Sequence, residues 1–128
     1  MRILLVEDEE AIADFIERGL RAEGYAVTVA NDGETGTTLA TSGDFDLLIL
    51  DLMLPGRSGI EILRDFRKLD AATPVILLTA RSEVEDRVTG LDAGASDYIP
   101  KPVDMDKLFS LLRVWLYSAD RPDTVEML

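Results

Sequence analysis

A small set of oxygen- and nitrogen-bearing side chains stands at or just after short apolar runs of this 128-residue chain. The set comprises Glu7, Asp8, Asp51, Thr79 and Lys101. Three carboxylates brought together repel one another unless a cation joins them, and Mg²⁺ prefers oxygen ligands of this kind. Lys101 can pair with phosphoryl oxygens, and Thr79 can donate its hydroxyl to them. The set predicts phosphoryl transfer onto a carboxylate, with Asp51 positioned to attack phosphorus.

The residues that are missing narrow the chemistry further. The chain contains no cysteine and no histidine. Thiolate and imidazole metal sites, Ser-His-Asp triads and phosphohistidine relays are therefore excluded. The formal net charge of −12 opposes binding to the phosphate backbone of nucleic acids. We expect no direct nucleic-acid binding by this chain, and its lack of a long apolar run predicts no membrane span.

Apolar runs alternate five times with segments of helical periodicity, which predicts five strands and five helices. The predicted strands cover residues 2–6, 25–30, 46–50, 74–78 and 97–100. The predicted helices cover residues 9–23, a short segment ending at residue 39, and residues 59–69, 83–92 and 104–117, the last with Asp104 as its N-cap. In the first helix, Ile12, Phe15, Ile16 and Leu20 are expected to face the core.

Strands that alternate with helices predict a parallel, doubly wound sheet with helices on both faces. In such sheets ligands bind at the carboxyl ends of the strands, near the point where the strand order reverses. Glu7 and Asp8 follow the first strand, and Asp51 follows the third. These three carboxylates should converge if the first and third strands are neighbours.

Each of these residues also has a purely structural explanation. Asp8 is a common type of helix N-cap, and Thr79 alone is more often a structural hydroxyl. A single Lys101-Pro102 pair is typical of a turn. The functional interpretation depends on all of them falling, in order, at the same edge of one sheet.

Four segments resemble the motifs of response regulator receiver domains, and the resemblance extends over about residues 2–117. They are Val-Glu-Asp-Glu at 6–9, Leu-Asp-Leu-Met-Leu-Pro-Gly at 50–56, Leu-Thr-Ala at 78–80 and Asp-Tyr-Ile-Pro-Lys-Pro at 97–102. The resemblance implies a flavodoxin-like fold of strand order 2-1-3-4-5. It also implies a phosphoacceptor domain that receives its phosphoryl group from a sensor histidine kinase.

The resemblance further implies a role for each site residue. Asp8 and Asp51 would bind Mg²⁺ directly, Glu7 would act through bound water, and the backbone carbonyl of Met53 would complete the metal shell. Thr79 and Tyr98 would be the switch residues, and Lys101 would precede a cis-proline bond. The expected reactions are self-phosphorylation from small phosphodonors and self-dephosphorylation, so the domain is not expected to be an enzyme acting on other substrates.

Three alternatives remain open to the same residues. A phospho-aspartate hydrolase of the haloacid dehalogenase type needs a second acid two residues after the nucleophile, where this chain has Met53. A flavin or nucleotide carrier needs a phosphate-binding loop after the first strand, where this chain has four acidic residues. An adaptor that has lost phosphorylation is opposed by the presence of Asp8, Asp51, Thr79 and Lys101.

Domain organisation and partners complete the predictions. Residues 1–118 are expected to form the receiver domain, and residues 119–128 a tail or the start of a linker. We expect the domain to be cytoplasmic, and residues 86–88 and 97–98 resemble the receivers of winged-helix transcription regulators.

A homodimer is also expected, formed through the last two helices and the fifth strand. Met105, Leu108, Phe109, Leu112 and Leu116 are predicted to face the core. Leu111 and Val114 should lie off that face, with Val88 and Leu91 contributing to the dimer surface. Arg87 and Asp97 could form charged pairs across such a dimer, but Lys107 and Leu111 replace the acidic and basic partners that the family would supply. The contact should therefore depend mainly on apolar burial.

Overall fold

The computed structural model describes residues 1–80 and 84–117, and these form a five-stranded sheet with helices on both faces. Strands and helices alternate as β1 (Arg2–Val6), α1 (Glu10–Ala22), β2 (Ala26–Ala30), α2 (Gly33–Ser42), β3 (Leu47–Asp51), α3 (Gly59–Leu69), β4 (Val75–Thr79), α4 (Val84–Asp92), β5 (Asp97–Pro100) and α5 (Met105–Leu112), followed by a π-helical segment (Arg113–Tyr117). The strands are parallel in the order β2-β1-β3-β4-β5. The predicted fold class and strand order are confirmed.

The register of the central strands brings their carboxyl ends to one edge. Val6 pairs with Leu50, and Asp51 pairs with Leu78. Thr79 pairs with Pro100 on the edge strand β5. β3 and β4 each end one residue later than predicted, because the ladder continues through Asp51 and Thr79. These two polar residues are therefore held by strand backbone rather than by the loops that follow.

Alternation along the strands divides the apolar side chains between two cores, one on each face of the sheet. On one face Ile3, Leu5, Ile49 and Ile76 pack against α1 and α5. On the other, Leu4, Val6, Leu48 and Leu50 pack with residues of α2 and α3. The short apolar runs are continuous because both faces of β1, β3 and β4 are buried.

Two helices bury a different stripe from the one predicted. In α1 the fully buried positions are Ala13, Ile16 and Leu20. Phe15 lies one position before Ile16, about 100° around the helix, and is 55% exposed, so its predicted core role is wrong.

In α5, Leu111 was predicted to lie off the core face, and this is also wrong. Leu108, Leu111, Leu112 and Trp115 follow the i, i+3, i+4, i+7 spacing of a single stripe. Leu111 is accordingly part-buried against the core, and Trp115 is buried. Val114 is exposed, as expected.

The edge opposite the carboxyl ends carries both ends of the described chain. Met1 and Leu116 line one small cleft there with Phe45 and Pro74, and Tyr117 hydrogen-bonds to Tyr25, the residue directly before β2. Burial and this hydrogen bond raise the pKa of Tyr25 to about 12. The predicted tail, residues 119–128, lies outside the described residues, as does the side chain of Arg87. No described helix is both long and apolar enough to cross a membrane.

Candidate functional site

Glu7 and Asp8 occupy the carboxyl end of β1. The backbone N–H of Glu7 donates to the carbonyl of Ala30 at 3.0 Å, which continues the strand pairing and fixes the side-chain direction. The Glu7 side chain is fully buried, and its Oε2 accepts a hydrogen bond from the backbone N–H of Glu9 at 3.1 Å. Asp8 is more open to solvent. One buried and one accessible carboxylate thus stand side by side.

Asp51 closes β3, the most central strand, and is only 2% exposed. Its Oδ1 accepts a hydrogen bond from the backbone N–H of Met53 at 3.2 Å. A Cβ at Gly59 would lie 2.2 Å from the Asp51 carbonyl oxygen, so only glycine allows α3 to begin this close to the strand. The Asp51 carboxylate is therefore held from two sides, by its strand and by the turn into α3.

The three predicted acids converge. Glu7, Asp8 and Asp51 each offer a carboxylate oxygen, and these oxygens lie within 4.8 Å of one another. Like charges at this spacing raise the free energy of the site unless a cation is present. Carboxylate oxygens without imidazole or thiolate are the donor set of a hard cation such as Mg²⁺. The residues present therefore fit a magnesium site.

Lys101, after β5, supplies a cation from the protein itself. Its Nζ lies 2.9 Å from Asp51 Oδ2 and 2.8 Å from Glu7 Oε1. The contact with Asp51 is a hydrogen bond, whereas the contact with Glu7 is an ion pair without hydrogen-bond geometry. Burial alone would lower the pKa of Lys101, but the interactions with Glu7 and Asp51 outweigh it and raise the pKa. The ammonium thus stays charged and offsets part of the acidic cluster.

The backbone around Lys101 is tied to β4. The Lys101 N–H donates to the Thr79 carbonyl at 2.7 Å, and the Lys101-Pro102 peptide bond is cis, as the resemblance implied. The Thr79 side chain is fully buried, and its hydroxyl has no hydrogen-bond partner among the described residues. An unpaired buried hydroxyl is costly. The Thr79 hydroxyl is therefore a buried donor with no recorded acceptor, at the end of the strand next to the one that Asp51 closes.

The two remaining predicted residues lie at different depths. Tyr98, on β5, is half-buried and packs against the core on the α3 face. Tyr98 pairs with Leu77 of β4, which is two residues before Thr79 on that strand. Met53 is 72% exposed, and its recorded contact with the site is the hydrogen bond from its backbone N–H to the Asp51 carboxylate.

Sequence reasoning missed one residue here. Glu9 Oε1 lies 3.8 Å from Lys101 Nζ, although the sequence analysis gave Glu9 no role of its own in the site. It is the N-cap of α1, yet its side chain makes no capping hydrogen bond. Glutamate is not among the preferred N-cap residues, and this mismatch was the available signal.

Comparison with known proteins gives the class. The sequence matches the response regulator receiver domain family over residues 3–113, and the chain belongs to that family. It is a receiver domain of two-component signalling, and the phospho-aspartate hydrolase alternative is not favoured.

The curated relatives are longer proteins. The chain is 51% identical over 114 residues to the transcriptional regulatory protein YkoG of Bacillus subtilis, covering 89% of this chain and 50% of the relative. It is 50% identical over 113 residues to the response regulator protein PmrA of Pseudomonas aeruginosa, covering 88% and 51%. The chain thus spans about half the length of the curated relatives it matches.

Solved structures agree with the fold. The receiver domain of the sensor histidine kinase PA1611 from Pseudomonas aeruginosa superposes with a TM-score of 0.85 at 35% identity, covering 91% of this chain and 98% of that one. That structure has a magnesium ion coordinated in its active-site cleft. A CheY-like receiver domain from Methanospirillum hungatei gives a TM-score of 0.82 at 35% identity, covering 88% and 90%.

Proposed function

We propose that Asp51 is the phosphoacceptor of this receiver domain and that the reaction depends on Mg²⁺. The observation that carries the proposal is the Lys101 ammonium, which contacts two buried carboxylates, Asp51 and Glu7, beside the more accessible Asp8. Asp8 and Asp51 would hold the metal directly, with the Met53 carbonyl, and Glu7 would act through water. When bound, Mg²⁺ offsets the charge that develops on the transferred group.

The chain's own residues account for the transfer. An Asp51 carboxylate oxygen attacks phosphorus, a new P–O bond forms, and the bond from phosphorus to the donor breaks, with the donor's leaving group keeping the electron pair. Lys101 then pairs with phosphoryl oxygens instead of the Asp51 oxygen that it now contacts. The unpaired Thr79 hydroxyl donates to the same group.

The proposed switch follows from the new charge. A phosphoryl group brings negative charge and acceptor oxygens to the carboxyl edge. Thr79 moves toward it, and the Tyr98 ring fills the space released. If Thr79→Ala left the two states as distinguishable by NMR as in the wild type, this coupling would be wrong.

Intact-mass measurement tests the acceptor. Incubation with acetyl phosphate and Mg²⁺ should add one phosphoryl mass, and Asp51→Ala should abolish the addition. The matched control is Asp44→Ala, an exposed aspartate outside the cluster, which should label like the wild type. A label that survives in Asp51→Ala would refute the assignment.

Calorimetric Mg²⁺ titration tests the metal ligands. Asp8→Asn should weaken binding more than Glu7→Gln, because Asp8 would contact the ion directly and Glu7 through water. Equal affinities of the two variants would contradict these roles.

We also propose that this domain receives its phosphoryl group in the cytoplasm from a sensor histidine kinase and controls a transcriptional output. The support is that its curated relatives are named as transcriptional regulators and response regulators of about twice the matched length. The chain itself would not bind nucleic acid, since its net charge is −12.

A phosphorylation-enhanced homodimer through α4, β5 and α5 is the second proposal. Val88 and Leu91 on α4 and Val114 on the π-helical segment after α5 are exposed apolar residues. Asp97 accepts hydrogen bonds within its own chain, from Trp115 Nε1 at 3.2 Å and from the Tyr98 N–H at 2.9 Å. A contact that depends on apolar burial is therefore favoured over one built on an Asp97 ion pair.

Sedimentation tests the dimer, with and without beryllofluoride and Mg²⁺ as an acyl-phosphate mimic. Because Leu111 is partly buried, Val114→Glu is the better variant, and it should weaken association. Leu69→Glu, on α3 and more exposed, is the control and should have no effect. A monomer at high concentration in both states would refute the dimer.

A further inference from the structure

Glu9 occupies the N-cap of α1 but does not cap it. An N-cap side chain usually accepts a hydrogen bond from a backbone N–H of the first turn, and the Glu9 side chain makes no such bond. Its carboxylate instead lies 3.8 Å from the Lys101 ammonium. The Glu9 carboxylate therefore lies toward the site and not over the first turn of the helix.

Glu9 is also the most open of the carboxylates that contact Lys101. Its side chain is 63% exposed, whereas those of Glu7 and Asp51 are buried. Glu9 and Asp51 oxygens contact the same ammonium, so they lie within about 7 Å of each other, which is inside the screening length of about 8 Å at physiological salt. A phosphoryl donor that approaches Asp51 therefore meets the field of Glu9.

We propose that Glu9 is a specificity-determining residue that selects phosphoryl donors by charge. Its carboxylate raises the free energy of a small dianionic donor next to Asp51. It also competes for Lys101, the cation that the incoming phosphoryl oxygens need. A donor with less negative charge is penalised less. The inference rests on the proposed phosphorylation of Asp51 and adds to it the class of donor that the site disfavours.

The size of the effect follows from Coulomb's law. A unit charge and a dianion about 7 Å apart in a screened, water-exposed setting repel enough to change a rate by about two- to fivefold. For a monoanion the repulsion free energy is about half as large, so the logarithm of the rate change is also about half as large. Glu9 would also attract a Mg²⁺ ion at the acidic cluster with a free energy of similar size, so removing its charge would weaken metal binding as well as donor repulsion. The labelling rates are therefore measured at saturating Mg²⁺, where the metal site is filled in every variant.

The experiment compares Glu9→Gln with Glu10→Gln. Both variants remove one acidic charge near the start of α1, but no ion pair joins Glu10 to Lys101 among the described residues. Labelling rates are measured at low donor concentration with acetyl phosphate, largely a dianion at neutral pH, and with phosphoramidate, which carries less net charge. Glu9→Gln should speed acetyl phosphate labelling by about two- to fivefold, with a smaller gain for phosphoramidate.

Two further readouts separate this role from a structural one. Calorimetry should show about two- to fivefold weaker Mg²⁺ binding for Glu9→Gln than for Glu10→Gln. High salt should reduce the rate difference between Glu9→Gln and wild type. Equal rates for both variants, or equal gains with both donors, would overturn the inference while Asp51 labelling stands. Absence of any wild-type labelling would instead refute the proposed function.

Discussion

Replacing Lys101 with methionine removes the ammonium that lies 2.9 Å from Asp51 and 2.8 Å from Glu7. Methionine preserves most of the aliphatic volume, so the packing changes little. The Glu7 carboxylate, which is fully buried, then faces Asp51 without the cation. We expect the metal-free variant to be less stable than the wild type because one of these carboxylates must take up a proton or remain as an uncompensated buried charge.

Two arguments give the magnitude. Breaking a buried ion pair by removing one partner costs about 3–5 kcal/mol. Protonating a carboxylate with an ordinary pKa of about 4 at pH 7 costs about 4 kcal/mol, at about 1.4 kcal/mol per unit. Because the cluster reaches solvent beside Asp8, we expect the lower value, about 3 kcal/mol of lost unfolding free energy at pH 7.

The sign of the pH dependence follows from linkage. Where a proton replaces the missing ammonium, the folded variant binds one proton more than the unfolded chain does at neutral pH, so its stability relative to wild type rises as pH falls. The deficit should shrink by about 1.4 kcal/mol per pH unit and be about 1 kcal/mol at pH 5.5. Mg²⁺ should also stabilise the variant more than the wild type, because it replaces the missing positive charge.

Urea unfolding in the presence of a chelator measures this effect. Trp115 is the chain's one tryptophan and is buried, so its fluorescence reports loss of the core. The matched control is Lys107→Met at an exposed position of α5, which should change stability by less than about 0.5 kcal/mol. A Lys101→Met deficit below about 1 kcal/mol at pH 7, or one independent of pH, would refute the reasoning.

Two other predictions concern the scaffold. Partial burial alone would raise the pKa of Asp70, but hydrogen bonds from Thr73 outweigh it and lower the pKa. The contribution of Asp70 to the free energy of unfolding should therefore be present above about pH 4 and be lost as pH falls through its folded-state pKa. Asp70→Asn should lose about 1 kcal/mol of unfolding free energy at pH 7. In acid, the unfolding curves of the variant should approach those of the wild type. A Cβ at Gly36 would lie 2.7 Å from Val6, so Gly36→Ala should lose about 1–3 kcal/mol in urea unfolding. Gly19→Ala, where the nearest atom is the flexible end of a methionine, should be neutral or stabilising, and equal effects at both glycines would contradict the steric argument.

The parts of the site that lie in the strand ladder were predictable from the sequence. Glu7, Asp51 and Thr79 each follow a continuous apolar run, and parallel pairing brings the ends of such runs to one edge. Lys101 was predictable because it follows the fifth predicted strand, which ends at the same edge. The distances between these groups were not, because they depend on how far each strand continues before its loop begins.

The errors arose where side-chain contacts, and not periodicity, decide the outcome. Several apolar stripes can be drawn on a short helix, and the choice between them depends on the neighbouring surface. Phe15 was therefore assigned to the core wrongly, and Leu111 and Trp115 were not assigned to it. Glu9 was missed because its role depends on Lys101, which is distant in sequence.

The placement of both described chain ends at the amino edge has a practical consequence for labelling and attachment. Met1 and Tyr117 are separated from Asp51 by the length of a five-residue strand, about 17 Å. A fluorophore or surface tether placed at Met1 would leave the mouth of the acidic cluster open to solutes. A dye there would report on the carboxyl edge of the sheet only through energy transfer over that span, since it would lie too far away to contact the acidic cluster.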